Sequence, residues 1–151
     1  QVTRGYWKRP QETAELFTED GWLRTGDIVM VDEDGFLRVV DRIKEVIITG
    51  GFNVAPTEVE TALKLHDAVA DAAVVGIPGS DGNEAVVAAV VLEPGVELDE
   101  AALRQHCYDK VTRYKVPRRI VAMEDLPRTM LGKTLRRAVK EEILEKKLLD
   151  S

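Results

Sequence analysis

Cysteine is almost missing from this chain: Cys107 stands alone among 151 residues, so no internal disulfide can form. That scarcity fits a reducing compartment. With no histidine or acid placed to activate it, Cys107 reads as a half-buried helix residue and not as a nucleophile. Histidine is nearly as scarce. His66 and His106 lie on expected helices, 40 residues apart, with no cysteine or acid at ligand spacing, so no metal site is expected. No apolar run approaches the roughly 18 residues of a membrane span. The opening QVTRGYWKRP has neither an initiating Met nor the apolar core of a signal peptide, and reads as a cut from something longer. Nor is there an excess of basic charge. A net charge of -6 argues against a general nucleic-acid or acidic-membrane surface. What is present, 44% hydrophobic and 32% charged residues, suits a soluble globular fold with a core of its own. Positive charge is still dense in RYKVPRR and GKTLRR, enough to receive one phosphorylated ligand.

Punctuation and periodicity set the element order. A short helix is expected over 10–17, with Pro10 in its first turn. Residues 28–31 and 36–40 are β-rich runs around Asp32-Glu33-Asp34-Gly35, a hairpin signal. The charged DRIK of 41–44 marks a domain boundary. After it come a strand over 45–48, a glycine-rich turn over 49–53, and a helix from Pro56 with Val59, Ala62, Leu63 and His66 on one face. Two mostly buried strands follow, 69–77 and 85–92, around a polar loop holding Pro78, Gly79, Asp81 and Gly82. Asp99 is a sound N-cap for a helix to about Lys110. Residues 119–123 form a last strand. The final helix runs from about Thr134 with Leu135, Val139 and Ile143 as its stripe. The order implies an α+β fold, a small sheet with packed helices, preceded by a hairpin.

Four segments carry candidate chemistry. In LPRTMLGKTLRR, a proline and a glycine keep most of the segment from being helical, and Gly132 frees the backbone just before Lys133. An ammonium on such a loop is a movable point charge suited to phosphate or carboxylate oxygen, although a solvated lysine near a helix start has the same local sequence. The Gly-Lys-Thr here does not complete a phosphate-binding P-loop, because its first glycine would fall at Pro127. In WLRTGD, Asp27 follows a glycine at a strand start, where its carboxylate could accept hydrogen bonds from a vicinal diol. In DRIK, Arg42 offers a planar donor fork. In TGGFNVAPTEVE, Gly50 and Gly51 allow a ligand close to the backbone.

Taken together and in order, these segments resemble the C-terminal signature series of the adenylate-forming superfamily, which includes acyl-CoA synthetases, peptide-synthetase adenylation domains and beetle luciferases. The resemblance rests on GYW-x-x-P-x-x-T (5–13), GWLRTGD (21–27), DRIKEVIITGG-x-NV-x-P-x-EVE (41–60), YKVPR (114–118) and LPRT-x-x-GK-x-x-R (126–136), nearly the whole chain. It implies residues 1–43 as the end of a large N-terminal domain and 44–151 as a C-terminal lid, with the hinge at Lys44. Asp41 stands where many members have Gly. By the same resemblance Asp27 and Arg42 serve the ribose of ATP, Lys133 bridges the substrate carboxylate and the α-phosphate, and Gly50 and Gly51 line the pantetheine tunnel of CoA. ATP and CoA are then substrates, Mg2+ accompanies ATP, and nucleic acid is not a partner.

The motif phrasing, and a charged terminal helix with no carrier-protein sequence after it, resemble bacterial medium- or long-chain fatty acyl-CoA synthetases. The alternatives are a ligase for an aromatic or other small acid, and a stand-alone binding or regulatory module. The expected parent is cytoplasmic, with membrane association left open. The chain by itself is expected to be inactive, with the stub before Asp41 disordered or pairing with a second copy through exposed β edges.

Overall fold

The computed structural model describes residues 2–79, 82–146 and 148–149. Asp81 of the expected loop, and residues 147, 150 and 151 of the terminal segment, lie outside them. Helix α1 (Pro10–Leu16) opens the chain and buries none of its side chains. Strands β1 (Asp27–Val31) and β2 (Leu37–Arg42) pair antiparallel as the Asp-Gly signal predicts. The Asp32 carboxylate closes their turn by accepting from the N–H groups of Asp34 and Phe36, at 3.1 and 2.8 Å. The segment expected to be disordered or self-paired is thus a formed helix and hairpin here, with Val29, Met30, Val31, Leu37 and Val39 exposed on the hairpin.

A 3₁₀ turn, Ile43–Glu45, leads into the small hairpin of β3 (Ile47–Thr49) and β4 (Phe52–Val54). The expected five-residue glycine turn is shorter. Gly50 and Gly51 have φ of +55° and +80°, the pair of positive values a two-residue type I′ turn requires, so Thr49 and Phe52 already pair. Helix α2 (Pro56–Lys64) buries Val59, Ala62 and Leu63. His66 lies just past its end, because the N–H groups of Leu65 and His66 turn back to the carbonyls of Ala62 and Leu63.

Strands β5 (Val69–Pro78) and β6 (Glu84–Leu92) form the long antiparallel hairpin. Strand β7 (Arg119–Ala122) adds to β6 in parallel, giving the order β5-β6-β7. Between them runs α3 (Glu100–Tyr108), capped by Asp99, whose carboxylate accepts from Ala102 N–H at 2.9 Å. Helix α4 (Arg136–Glu145) starts two residues later than expected, because Thr134 first pairs with Arg128 across the preceding loop. Leu135 is consequently exposed and drops out of the expected stripe, whereas Val139 and Ile143 are fully buried.

Both faces of the sheet are covered, which explains why β5 and β6 read as continuous apolar runs. Side chains alternate across the pleat. Val74, Ala88 and Ile120 meet Val59 and Leu63 of α2 and Leu103 of α3. Val75, Val87 and Val121 on the other face meet Val139 and Ile143 of α4. Cys107 belongs to the first cluster and is wholly buried, not half-buried as the sequence predicts. Among the described residues no helix is long and apolar enough to cross a membrane.

Candidate functional site

The type I′ turn leaves Gly50 and Gly51 exposed at the tip of the β3-β4 hairpin. A Cβ built on either would meet nothing within 4 Å, so within this chain glycine is required there by the backbone angles alone. The turn is anchored from behind. The Gly50 N–H donates to Asn83 Oδ1 and the Ile48 N–H to Glu84 Oε2, both at 3.2 Å, at the tip of the β5-β6 hairpin. Beside Gly50 opens a groove of about 590 Å³ edged by Arg104, Arg113 and Arg118, with Phe52 and Tyr114 stacked at 4.4 Å between ring centroids.

Lys133 sits at the closing side of a tight loop. Thr129 N–H donates to Lys133 O at 2.8 Å, Lys133 N–H to Thr129 Oγ1 at 3.1 Å, and Gly132 N–H to Thr129 O at 2.9 Å. Met130 and Leu131 at the tip are exposed. Arg128 ties this loop to the sheet, donating to Gly132 O at 3.1 Å and to the carboxylate of Asp71 at the start of β5. Burial pushes the Asp71 carboxyl upward, but the Ala72 N–H, Arg128 and Lys64 outweigh it and hold it below the usual carboxylate range. The backbone around Lys133 is therefore fixed while its side chain is exposed, and among the described residues its ammonium pairs with no carboxylate.

Asp71 and Asn83 mark opposite ends of the β5-β6 hairpin, where Asp71 pairs with Val91 and Pro78 with Glu84. At about 3.3 Å per residue, the anchors of the lysine loop and of the glycine turn stand on the order of 20 Å apart.

Asp27 and Arg42 are brought together. They face each other across the open end of the first hairpin, with Arg42 Nε 3.2 Å from Asp27 Oδ1. Lys44 is exposed in the 3₁₀ turn immediately beyond. It lies on the rim of two grooves, one toward Glu84 and Lys140, the other toward Arg24 and Arg42. Neither groove is lined by Lys133. Among the described residues no group of three histidines, cysteines or acids is placed to hold a metal.

A fifth constellation escapes the sequence reading. Arg136, the first residue of α4, donates through Nε and Nη2 to both oxygens of Glu60 at 2.7 Å and through Nη2 to Thr57 Oγ1 at 2.8 Å. Its Nη1 reaches Asp41 Oδ1 at 3.3 Å and the carboxylate of Glu45. Burial alone would lower this guanidinium; Glu60 above all, with Asp41 and Glu45, more than compensates and holds it above its usual range. The side chains of Asp41 and Arg136 are 1% and 19% exposed. The signal was present in part, since Glu60 and Arg136 are the last residues of EVE and of LPRT-x-x-GK-x-x-R, motif positions with no role of their own in the sequence reading.

The family described as AMP-binding enzyme C-terminal domain matches residues 58–133, half of the chain, from α2 to Lys133 itself. A long-chain-fatty-acid–CoA ligase of Salmonella typhimurium is 45% identical over 142 residues, covering 94% of this chain and 25% of that protein. A 2-succinylbenzoate–CoA ligase of Geobacillus kaustophilus is 46% identical over 142 residues, covering 94% and 29%. The chain thus spans about a quarter of the length of the curated relatives it matches. The ATP-bound structure of MatB from Rhodopseudomonas palustris superposes with a TM-score of 0.88 at 35% identity, covering 94% of this chain and 28% of that one. Its apo structure gives 0.69 at 36%, covering 92% and 28%, so the arrangement seen here is nearer to the ATP-bound one.

Proposed function

Since the chain belongs to the family of AMP-binding enzyme C-terminal domains, we propose that it is the C-terminal part of an AMP-forming acyl-CoA synthetase. Residues 1–43 would close a larger preceding domain, residues 44–151 would form a mobile lid, and Lys44 would be the hinge. In the first half-reaction a carboxylate oxygen attacks the α-phosphate of Mg-complexed ATP, giving acyl-adenylate and pyrophosphate. In the second, the CoA thiol attacks the acyl carbon, giving the thioester and AMP.

The observation that carries this reading is the Lys133 ammonium, unpaired among the described residues on a loop whose backbone is fixed at several points. Two anions must meet for adenylation, and a cation held between them offsets their repulsion as charge moves onto the departing pyrophosphate. Asp27 would accept the ribose hydroxyls, with Arg42 holding its carboxylate at 3.2 Å and reaching the nucleotide from the hinge side. Gly50 and Gly51 would line the path of the pantetheine arm once the lid turns. A Cβ there, which meets no other atom of this chain within 4 Å, would meet the thiol chain instead.

A fatty acid is the favoured acyl group and the cytoplasm, where ATP and CoA are at hand, the favoured place. A smaller aromatic acid is the second reading, because the 2-succinylbenzoate ligase is as similar as the fatty-acid ligases. Pyrophosphate release by the longer protein, screened over fatty and aromatic acids, tests both. Release with fatty acids supports the first reading and release with aromatic acids alone the second. Release with no acid at all leaves a binding module.

A further inference from the structure

Arg136 and its four partners straddle the proposed hinge unevenly. Glu45, Thr57 and Glu60 all follow Lys44 in the chain, on the same side as Arg136. Asp41 alone precedes it. Its carboxylate, on the last residue but one of β2, is almost wholly buried and reaches across: Oδ2 accepts from the Thr57 N–H at 2.9 Å in the first turn of α2, and Oδ1 receives Arg136 at 3.3 Å. The third bond, from the Arg42 N–H to Oδ1 at 2.9 Å, stays on its own side. Turning the lid about Lys44 therefore leaves Arg136 held by Glu60, Thr57 and Glu45, and among the described residues breaks the two hydrogen bonds that Asp41 makes across it.

We propose that Asp41 and Arg136 form a latch across the hinge that selects the arrangement presenting Lys133, which makes both of them positioning residues for adenylation. This rests on the reading of Lys44 as the hinge. Three features argue for a latch over a plain structural ion pair. The guanidinium is fixed on the lid by its other partners, so it offers Asp41 a preformed socket three residues from Lys133. Three carboxylates share that one guanidinium, so Asp41 is attracted by Arg136 but repelled by Glu45 and Glu60, and its release leaves the cation still paired. A contact with that balance is strong enough to bias two arrangements and weak enough to open. Finally, the arrangement that contains the latch is nearer in shape to ATP-bound than to apo MatB, at 35% and 36% sequence identity.

The test reads distance, not activity. Spin labels at E33C on the first hairpin and K110C on the lid report the separation of the two sides, with buried Cys107 unlabelled. The wild-type chain is expected to give one dominant distance. Asp41→Ala is expected to shift the balance toward other distances by roughly tenfold, the factor a charged hydrogen bond can carry. Asp41→Asn, which keeps the shape and one acceptor oxygen, should shift it less, and decides the matter if the alanine variant loses its hairpin. An unchanged distribution in a folded variant overturns the latch, whatever the enzyme does. In the longer protein, Asp41→Ala is expected to slow pyrophosphate release while thioester formation from supplied acyl-adenylate persists. A changed distance with equal loss in both half-reactions keeps the latch and overturns the catalytic role of the hinge.

Discussion

Lys133 combines a fixed backbone with an exposed head group, and that pairing sets what its loss should do. Replacing it with alanine is predicted to slow acyl-adenylate formation in the longer protein by about 10²–10³, the usual scale for one lost transition-state donor. Thioester formation from supplied acyl-adenylate should be nearly untouched, and equal losses would refute the assignment. At Gly51 two effects separate. Any side chain at φ +80° is strained by about 1–2 kcal/mol, visible as a modest fall in urea midpoint. Gly51→Leu should add a selective loss of turnover with CoA, and unchanged turnover would remove Gly51 from the thiol path. Cys107 offers a simpler check. Burial pushes its thiol up from 9.0 to about 11, so alkylating reagents near pH 8 should leave it unmodified until the chain unfolds. Because the folded value is the higher one, this group stabilises the fold fully below pH 9, and that contribution is lost as the pH rises toward 11.

Between elements, the Arg136 cluster joins β2, the 3₁₀ turn, α2 and α4. Arg136→Leu would strand the carboxylates of Asp41 and Glu60 in the interior, and a loss of about 3–5 kcal/mol is predicted from chemical denaturation. The Arg128–Asp71 tie behaves differently with pH. The Asp71 carboxyl is held below its ordinary 3.8, so the tie is complete above that value and fails as the pH falls through the lower folded one. Amide exchange at Thr129 and Lys133 should accelerate in that window, and protection that persists there would show that the loop needs no tie. These joints also mark where sequence reading stops. The helices and long strands were legible because period 3.6 and two-sided burial leave dense local patterns. Strand β4 was not, since three residues behind a glycine pair carry no period of their own. The Arg136 partners lie 76 to 95 residues away in the chain, and nothing local announces which acids a guanidinium will meet. Lys133, Asp27 and the glycines were legible only as members of an ordered motif series, each being weak alone.

At the scale of the whole chain, the first hairpin stands out for what it leaves uncovered. Leu37 and Val39 on one strand, Phe36 just before it, and Met30 and Val31 on the other strand are exposed, an apolar surface that normally finds a partner. The isolated 151 residues are predicted to self-associate with rising concentration in sedimentation experiments, and Met30→Lys with Val39→Lys should restore a monomer. A wild-type monomer at high concentration would show that the hairpin tolerates water. The two ends of the β5-β6 hairpin have a different bearing. The ammonium loop is moored at one end and the glycine turn at the other, with a stiff sheet between them. If that body pivots as a unit, the two tips cannot visit the reactants together. Under the proposed function such exclusion would impose a queue: the thiol would be admitted only after pyrophosphate had left, and would meet an acyl group already activated.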